Sequence, residues 1–127
     1  MSYKEYTVNV YTDGRKYWCL NGKYHREDGP AIEYANGTKS WFLNGKCHRE
    51  DGPAVEWANG SKYWFLNGEL HREDGPAIER ADGSKTWFLN GEEYTEEEFL
   101  KKTSKVKELT VADLEKLLGY AVKIVKE

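Results

Sequence analysis

The sequence is short of several things at once: it has two cysteines, three prolines and one methionine in 127 residues. No apolar run approaches the roughly 20 residues a membrane-spanning helix needs. The first ten residues, MSYKEYTVNV, contain no apolar signal-peptide core. Cys19 and Cys47 fall at non-equivalent places in the pattern described below. The register expected there sets them three strands apart, roughly 14 Å at strand spacing, which is too far for a disulfide. A reduced, cytoplasmic protein is expected, without a membrane partner.

An excess of one charge is also missing. The formal charge is −3, with 12 basic and 13 acidic side chains in residues 1–91 and 7 and 9 in residues 92–127. Neither part has the basic surplus of a nucleic-acid or anionic-membrane binder, and the acidity is too slight for a DNA mimic. No P-loop, nucleotide fingerprint, paired-cysteine zinc motif or nucleophile elbow occurs. Nothing in the sequence calls for a cofactor.

Aromatic residues are plentiful: nine Tyr, five Trp and four Phe in a chain of mean hydropathy −0.86. Such a ratio suits a thin β-structure whose few core positions hold large rings.

The aromatics are periodic. Trp18, Trp41, Trp64 and Trp87 recur every 23 residues, as do Leu20, Leu43, Leu66 and Leu89. The segment His-Arg-Glu-Asp-Gly-Pro begins at His25, at His48 and at His71 with the same spacing. Asn-Gly or Asp-Gly stands at 13, 36, 59 and 82, and Asn-Gly again at 21, 44, 67 and 90. Such dipeptides between aromatic and β-branched runs are strong hairpin signals, because type I′ turns need positive φ at both central residues. Two turns per unit mean two strands per unit. The expected fold is mainly β: a single-layer antiparallel meander over residues 1–92, about three and a half units, closed by a small α/β cap over residues 93–127.

Two-residue turns predict a register. Asn36-Gly37 pairs Tyr34 with Lys39 and Ile32 with Trp41, while Asn44-Gly45 pairs Leu43 with Lys46, Phe42 with Cys47 and Trp41 with His48. Opposite residues share a face. Ile32, Tyr34, Trp41, Leu43 and His48 would therefore line one side, with Val55, Trp57, Trp64, Leu66 and His71 repeating them. Ala31, Glu33 and Phe42 would form a thinner strip on the other. Asp-Gly-Pro should bulge or kink the longer strand, where Pro cannot donate to the ladder.

The periodicity opens with a half unit, residues 7–20, that aligns with residues 30–43, and it fades after Gly91. Thr95 to Glu98 reads as a capping box opening a helix, and Thr110 to Asp113 as a weaker one. Leu114, Leu117 and Leu118 mark a helical face that Gly119 would end. Tyr120, Val122 and Ile124 alternate like a strand, and Val106 to Leu109 is a further candidate. The tail reads as a packed end cap, with a partner-binding helix as the alternative. Lys101, Lys102, Lys105 and Lys107, flanked by Glu96 to Glu98, read as solvated surface.

The unit resembles the MORN repeat family of 23-residue hairpins. The residues that carry the resemblance are Gly45 with His48, Gly68 with His71, and the Asn59-Gly60 and Asp82-Gly83 turns ahead of Tyr/Trp-containing strands. It covers residues 8–91. His-Arg-Glu-Asp-Gly-Pro stands where that family has His-Gly-x-Gly, as in divergent short bacterial and phage-encoded proteins. The resemblance implies a twisted single-layer sheet used for protein contacts, sometimes for dimerisation, and in some relatives for phosphoinositide binding. The lipid role transfers poorly to a chain whose basic residues are matched by acids. A phage-encoded chain would act in the host cytoplasm.

The His-Arg-Glu-Asp cluster invites a catalytic reading. Acid–base catalysis needs a unique, asymmetric site, and three equal copies oppose that. Equivalent atoms in adjacent units lie roughly 10 Å apart, so units cannot share a zinc held at about 2 Å. A metal would have one histidine and two carboxylates of a single loop. No catalytic and no metal residue is assigned, and the chain is expected not to be an enzyme. In the structural reading His48 packs beside Trp41, Asp51 and Gly52 shape the bend, and Arg49 reaches a carboxylate of the next unit. In the binding reading His25, Arg26, His48, Arg49, His71 and Arg72 form a recognition edge, with Tyr34 and Trp57 exposed nearby. Trp18, Trp41, Trp64 and Trp87 are expected as structural core, with a partly open groove as the alternative.

Three functions remain open. The first is a protein-interaction scaffold, extended by the resemblance to a phage- or mobile-element-encoded inhibitor of a host defence protein. The second is a sequestering binder of small anions such as signalling nucleotides, held by Arg26, Arg49 and Arg72 with the neighbouring His25, His48 and His71. The third is a spacer that dimerises through the open strand edge at Val8–Tyr11.

Overall fold

The computed structural model describes residues 5–103, together with Ala112 and Lys116. The chain is mainly β, an antiparallel meander with one short helix in the described part of the tail. In chain order the strands are β1 (Tyr6–Val10), β2 (Lys16–Leu20), β3 (Lys23–Tyr24), β4 (Ile32–Glu33), β5 (Lys39–Ser40), β6 (Phe42–Leu43) and β7 (Lys46–Cys47). They continue as β8 (Val55–Glu56), β9 (Lys62–Tyr63), β10 (Phe65–Leu66), β11 (Glu69–Leu70), β12 (Ile78–Glu79), β13 (Lys85–Leu89) and β14 (Glu92–Tyr94), followed by α1 (Glu96–Thr103). The main sheet runs β1-β2-β4-β5-β8-β9-β12-β13-β14. The pairs β6-β7 and β10-β11 form two-stranded sheets, and β3 pairs β2. No helix among the described residues is long and apolar enough to cross a membrane.

The two turn families differ. Asn21, Asn44, Asn67 and Asn90 all have positive φ, between 50° and 53°, and each is followed by a positive-φ glycine. These are type I′ turns, and they give the expected register of Leu43 with Lys46 and Phe42 with Cys47. At the other turn only the glycine is positive, Gly37 at 95°. Gly37 N–H donates to Tyr34 O at 3.0 Å and Tyr34 N–H to Thr38 O at 2.9 Å. This is a three-residue loop, a type I turn closed by a glycine bulge. Asn36 serves it through its side chain, whose Oδ1 accepts Thr38 N–H at 2.9 Å. Asn59 and Asp82 repeat that bond with Ser61 and Ser84.

One extra loop residue shifts the expected register by one. Lys39 pairs with Glu33 rather than Tyr34, and Ile32 pairs with Ser40 rather than Trp41. A one-residue slip transfers side chains to the opposite face, and two rows result. Tyr17, Ile32, Ser40, Val55, Tyr63, Ile78 and Thr86 are successive cross-strand partners. So are Lys16, Glu33, Lys39, Glu56, Lys62, Glu79 and Lys85, alternating in sign at every step. Opposite charges directly across a ladder favour this register over one displaced by a residue.

The Asp-Gly-Pro element does more than kink a strand. Residues 48–54 lie outside any strand, forming a bend between β7 and β8. Fully apolar burial is sparse, as a single layer dictates: Ala31, Ala54 and Ala77 at 0% exposure, with Ile32, Ile78 and Phe99.

In α1 the expected capping box is formed. Glu98 N–H donates to Thr95 Oγ1 and Thr95 N–H to Glu98 Oε1, both at 3.1 Å. Phe99 is 2% exposed and α1 packs on β13 and β14, so the helix covers the last hairpin. Apart from Ala112 and Lys116, the second capping box, the leucine face ending at Gly119, and the strands at Val106–Leu109 and Tyr120–Ile124 lie outside the described residues.

Candidate functional site

The three His-Arg-Glu-Asp-Gly-Pro loops form a staircase on one side of the sheet. Each arginine lies flat on the tryptophan eight residues before it. Arg26, Arg49 and Arg72 place Cζ 4.0, 4.0 and 3.9 Å from the ring centres of Trp18, Trp41 and Trp64, a cation–π geometry. The guanidinium is also held by hydrogen bonds from Nε and Nη1. In the middle copy Nε of Arg49 donates to Asp51 at 3.0 Å, and Nη1 donates to Pro53 O at 3.0 Å and to Glu56 at 3.3 Å. Arg72 repeats all three with Asp74, Pro76 and Glu79. Arg26 does so with Asp28 and Pro30, its approach to Glu33 being 4.0 Å. Each arginine thus binds carboxylates of its own unit, whereas the sequence suggested the next one.

Glycine leaves room for this stacking. A Cβ at Gly29, Gly52 or Gly75 would sit 3.0–3.1 Å from the Cζ of its arginine.

The histidines make the link between units. Asn44 N–H donates to Nδ1 of His25, Asn67 N–H to His48 and Asn90 N–H to His71, each at 2.9 Å. The donor in each case is the first residue of the following type I′ turn, and Nδ1 must be unprotonated to accept it. Nε2 faces the carboxylate of Glu27, Glu50 or Glu73 at 3.4–3.5 Å. A second link runs along the other turns. Ala58 N–H donates to Thr38 Oγ1 at 3.0 Å and Ala81 N–H to Ser61 Oγ at 2.9 Å. Thr38 and Ser61 are buried. Sequence reasoning missed this pair, although a hydroxyl residue follows the turn glycine at 38, 61 and 84.

Trp18, Trp41, Trp64 and Trp87 are half-buried. The first three carry a guanidinium on one ring face. Between successive loops lie open grooves, one of about 1210 Å³, lined by both signs of charge from Arg49, Asp51, Arg72 and Lys102 around Trp64. Among the described residues no group of His, Cys, Asp or Glu is arranged to hold a metal ion.

The opposite face differs in chemistry. Tyr34 and Trp57, expected beside Trp41 and Trp64, lie here instead because of the register shift. Trp57 packs against Tyr63 with ring centres 5.6 Å apart. Burial, then the neighbouring Tyr17, Tyr24 and Cys47, push the Tyr34 phenol above the ordinary tyrosine range. Tyr11, Tyr17, Tyr24 and Phe42 form a chain of rings at 5.4, 5.9 and 5.6 Å. Tyr34 is 40% exposed and Trp57 44%. From Tyr17 to Ile78 the cross-strand row on this face carries no charge; Arg80 stands where Tyr34 and Trp57 stand in earlier units. The six staircase residues and this aromatic pair therefore occupy opposite faces and cannot act as one site. Comparison with protein-family models, curated proteins and solved structures gives no match.

Proposed function

We infer that the chain is a non-enzymatic, MORN-like repeat scaffold that binds another protein through its aromatic face. The observation carrying this reading is the unlayered row around Tyr34 and Trp57. Exposed tyrosine and tryptophan on a rigid support are the residue types that dominate binding hot spots. Between Arg15, which stacks on Tyr11, and Arg80 at the other end, the cross-strand row of this face carries no charge that would have to be desolvated on binding. The staircase contributes rigidity: its arginines bind carboxylates and a carbonyl of their own units, and its histidines accept from the turn of the next unit.

The anion-sequestering alternative has less support. A phosphate approaching Arg49 would meet a guanidinium already paired with Asp51 and Glu56. The finer reading, an inhibitor of a host defence protein encoded by a phage or mobile element, rests on the sequence resemblance alone.

The test is affinity capture from cell lysate with the full chain, beside a Tyr34→Glu, Trp57→Glu double variant and an Arg49→Ala, Arg72→Ala double variant. The expected result is a stoichiometric protein lost with the first variant and retained by a folded second one. Loss only with the arginine variant, or no stoichiometric protein, would remove the aromatic-face reading.

A further inference from the structure

We propose that the β1 end of the sheet is an isologous interface, in which β1 pairs antiparallel with β1 of a second copy. This goes beyond the scaffold reading and does not depend on the aromatic face. It rests on how the first unit departs from the other three.

Shifted by one repeat, Tyr6, Val8 and Val10 fall on Gly29, Ala31 and Glu33, and each full unit keeps that Gly-x-Ala-x-Glu pattern at 52–56 and 75–79. Inside the sheet Ala31, Ala54 and Ala77 are completely buried and the glutamates join the charge-alternating row. In β1 the three positions carry large apolar side chains, 38, 45 and 65% exposed. Val10 lies opposite Lys16, so the row of alternating charge stops one strand short of the edge. Terminal units of a solenoid are ordinarily more polar than inner ones, which keeps the array soluble. This one is more apolar.

The backbone agrees. β1 is a continuous five-residue strand whose inner edge is paired along its length, Tyr6 with Leu20 through Val10 with Lys16. Among the described residues no strand pairs its outer edge. Residues 6–11, Tyr-Thr-Val-Asn-Val-Tyr, contain no charge and no proline, the devices that otherwise blunt an edge.

The same features select a second copy as the occupant. A two-fold axis at Val8 sets Val8 opposite its symmetry mate and Tyr6 opposite the mate's Val10. The two triplets merge into one apolar row with no like charges facing each other. Head-to-tail growth is disfavoured, because the other end presents exposed Glu92 and Glu93 and carries α1 on its last hairpin. The assembly therefore closes at two. Five residues a side make a small interface, and its affinity belongs in the weak, concentration-dependent class.

Sedimentation velocity over a concentration series tests this with the full chain, Val8→Lys and Val10→Glu. The second variant restores the inner pattern opposite Lys16 and should fold at least as well, as circular dichroism would check. The expected result is a reversible dimer for the parent and monomers for both variants. A parent that stays monomeric at about 1 mM overturns the proposal. So does a dimer that survives both substitutions, including one dissolved instead by Tyr34→Glu with Trp57→Glu, which would be a face-to-face dimer. Loss of protein capture by those aromatic variants with the β1 dimer intact would leave both proposals standing, so each can fail separately.

Discussion

Asn67 donates its backbone N–H to Nδ1 of His48 across the boundary between two units, at 2.9 Å. The side chain of His48 is only 12% exposed, while Asn67, at the donor end of the bond, lies at the surface. The same bond recurs from His25 and from His71. The His-Arg-Glu-Asp cluster is in its first residue a joint between units.

The joint should be measurable by removing its acceptor. His48→Ala leaves the Asn67 N–H without a protein partner and opens space beside Trp41, at a cost of about 1–2 kcal/mol. Chemical denaturation would report the loss of stability. Hydrogen exchange would locate it, as faster exchange of the Asn67 amide than of the Asn44 and Asn90 amides. Equal protection of all three amides in the variant would contradict this account.

The close approach of Gly52 to Arg49 makes a second prediction. An alanine Cβ there would meet Cζ at 3.1 Å. The guanidinium is the end of a flexible chain, so it can swing away, giving up its stack on Trp41. Gly52→Ala should cost about 1 kcal/mol, the size of a partly shielded cation–π contact. In an Arg49→Ala background the same change should be nearly neutral, and a double-mutant cycle reads the difference as coupling. A cost that persists without the arginine would locate the strain in the backbone instead.

Cys47 sets an alkaline limit. Burial pushes its thiol up to about 11, against roughly 8.5 in an unfolded chain. The folded state thus holds the neutral form. Its contribution is complete below the unfolded value and disappears as pH rises from roughly 8.5 through about 11. Cys47→Ala should flatten that limb of a stability–pH curve. Alkylation of Cys47 at pH 8.5 should be slower in the folded protein than in urea by about tenfold or more. Equal rates in the two states would mean that the thiol is not held in its neutral form.

The repeat, its two turns per unit, the antiparallel meander and the first capping box were all legible in the sequence, because positive-φ Asn-Gly pairs and a Thr-x-x-Glu box leave local marks. The register at Asn36-Gly37 was not. Asn-Gly suits a two-residue turn and also a three-residue loop in which asparagine acts through its side chain. Asp13 and Asp82 in equivalent places were the available hint, since both do the same work through a carboxylate. That single residue moved Ile32, Tyr34, Val55 and Trp57 to the far face. The arginine-on-tryptophan stack was hidden for a different reason. Arg49 and Trp41 are eight residues apart across a turn, in no regular strand alignment, and the contact arises only when the Gly52 bend returns the chain.

Because the bonds between adjoining units recur at the same place in every 23-residue period, the molecule has a natural quantum of length. Excising residues 48–70 would join Cys47 to His71 and present Asn44 and Asn90 with the same acceptors as before. Losing any smaller number would strand a histidine against the wrong turn. Gene duplication can therefore lengthen or shorten this architecture in whole steps while leaving both of its ends untouched.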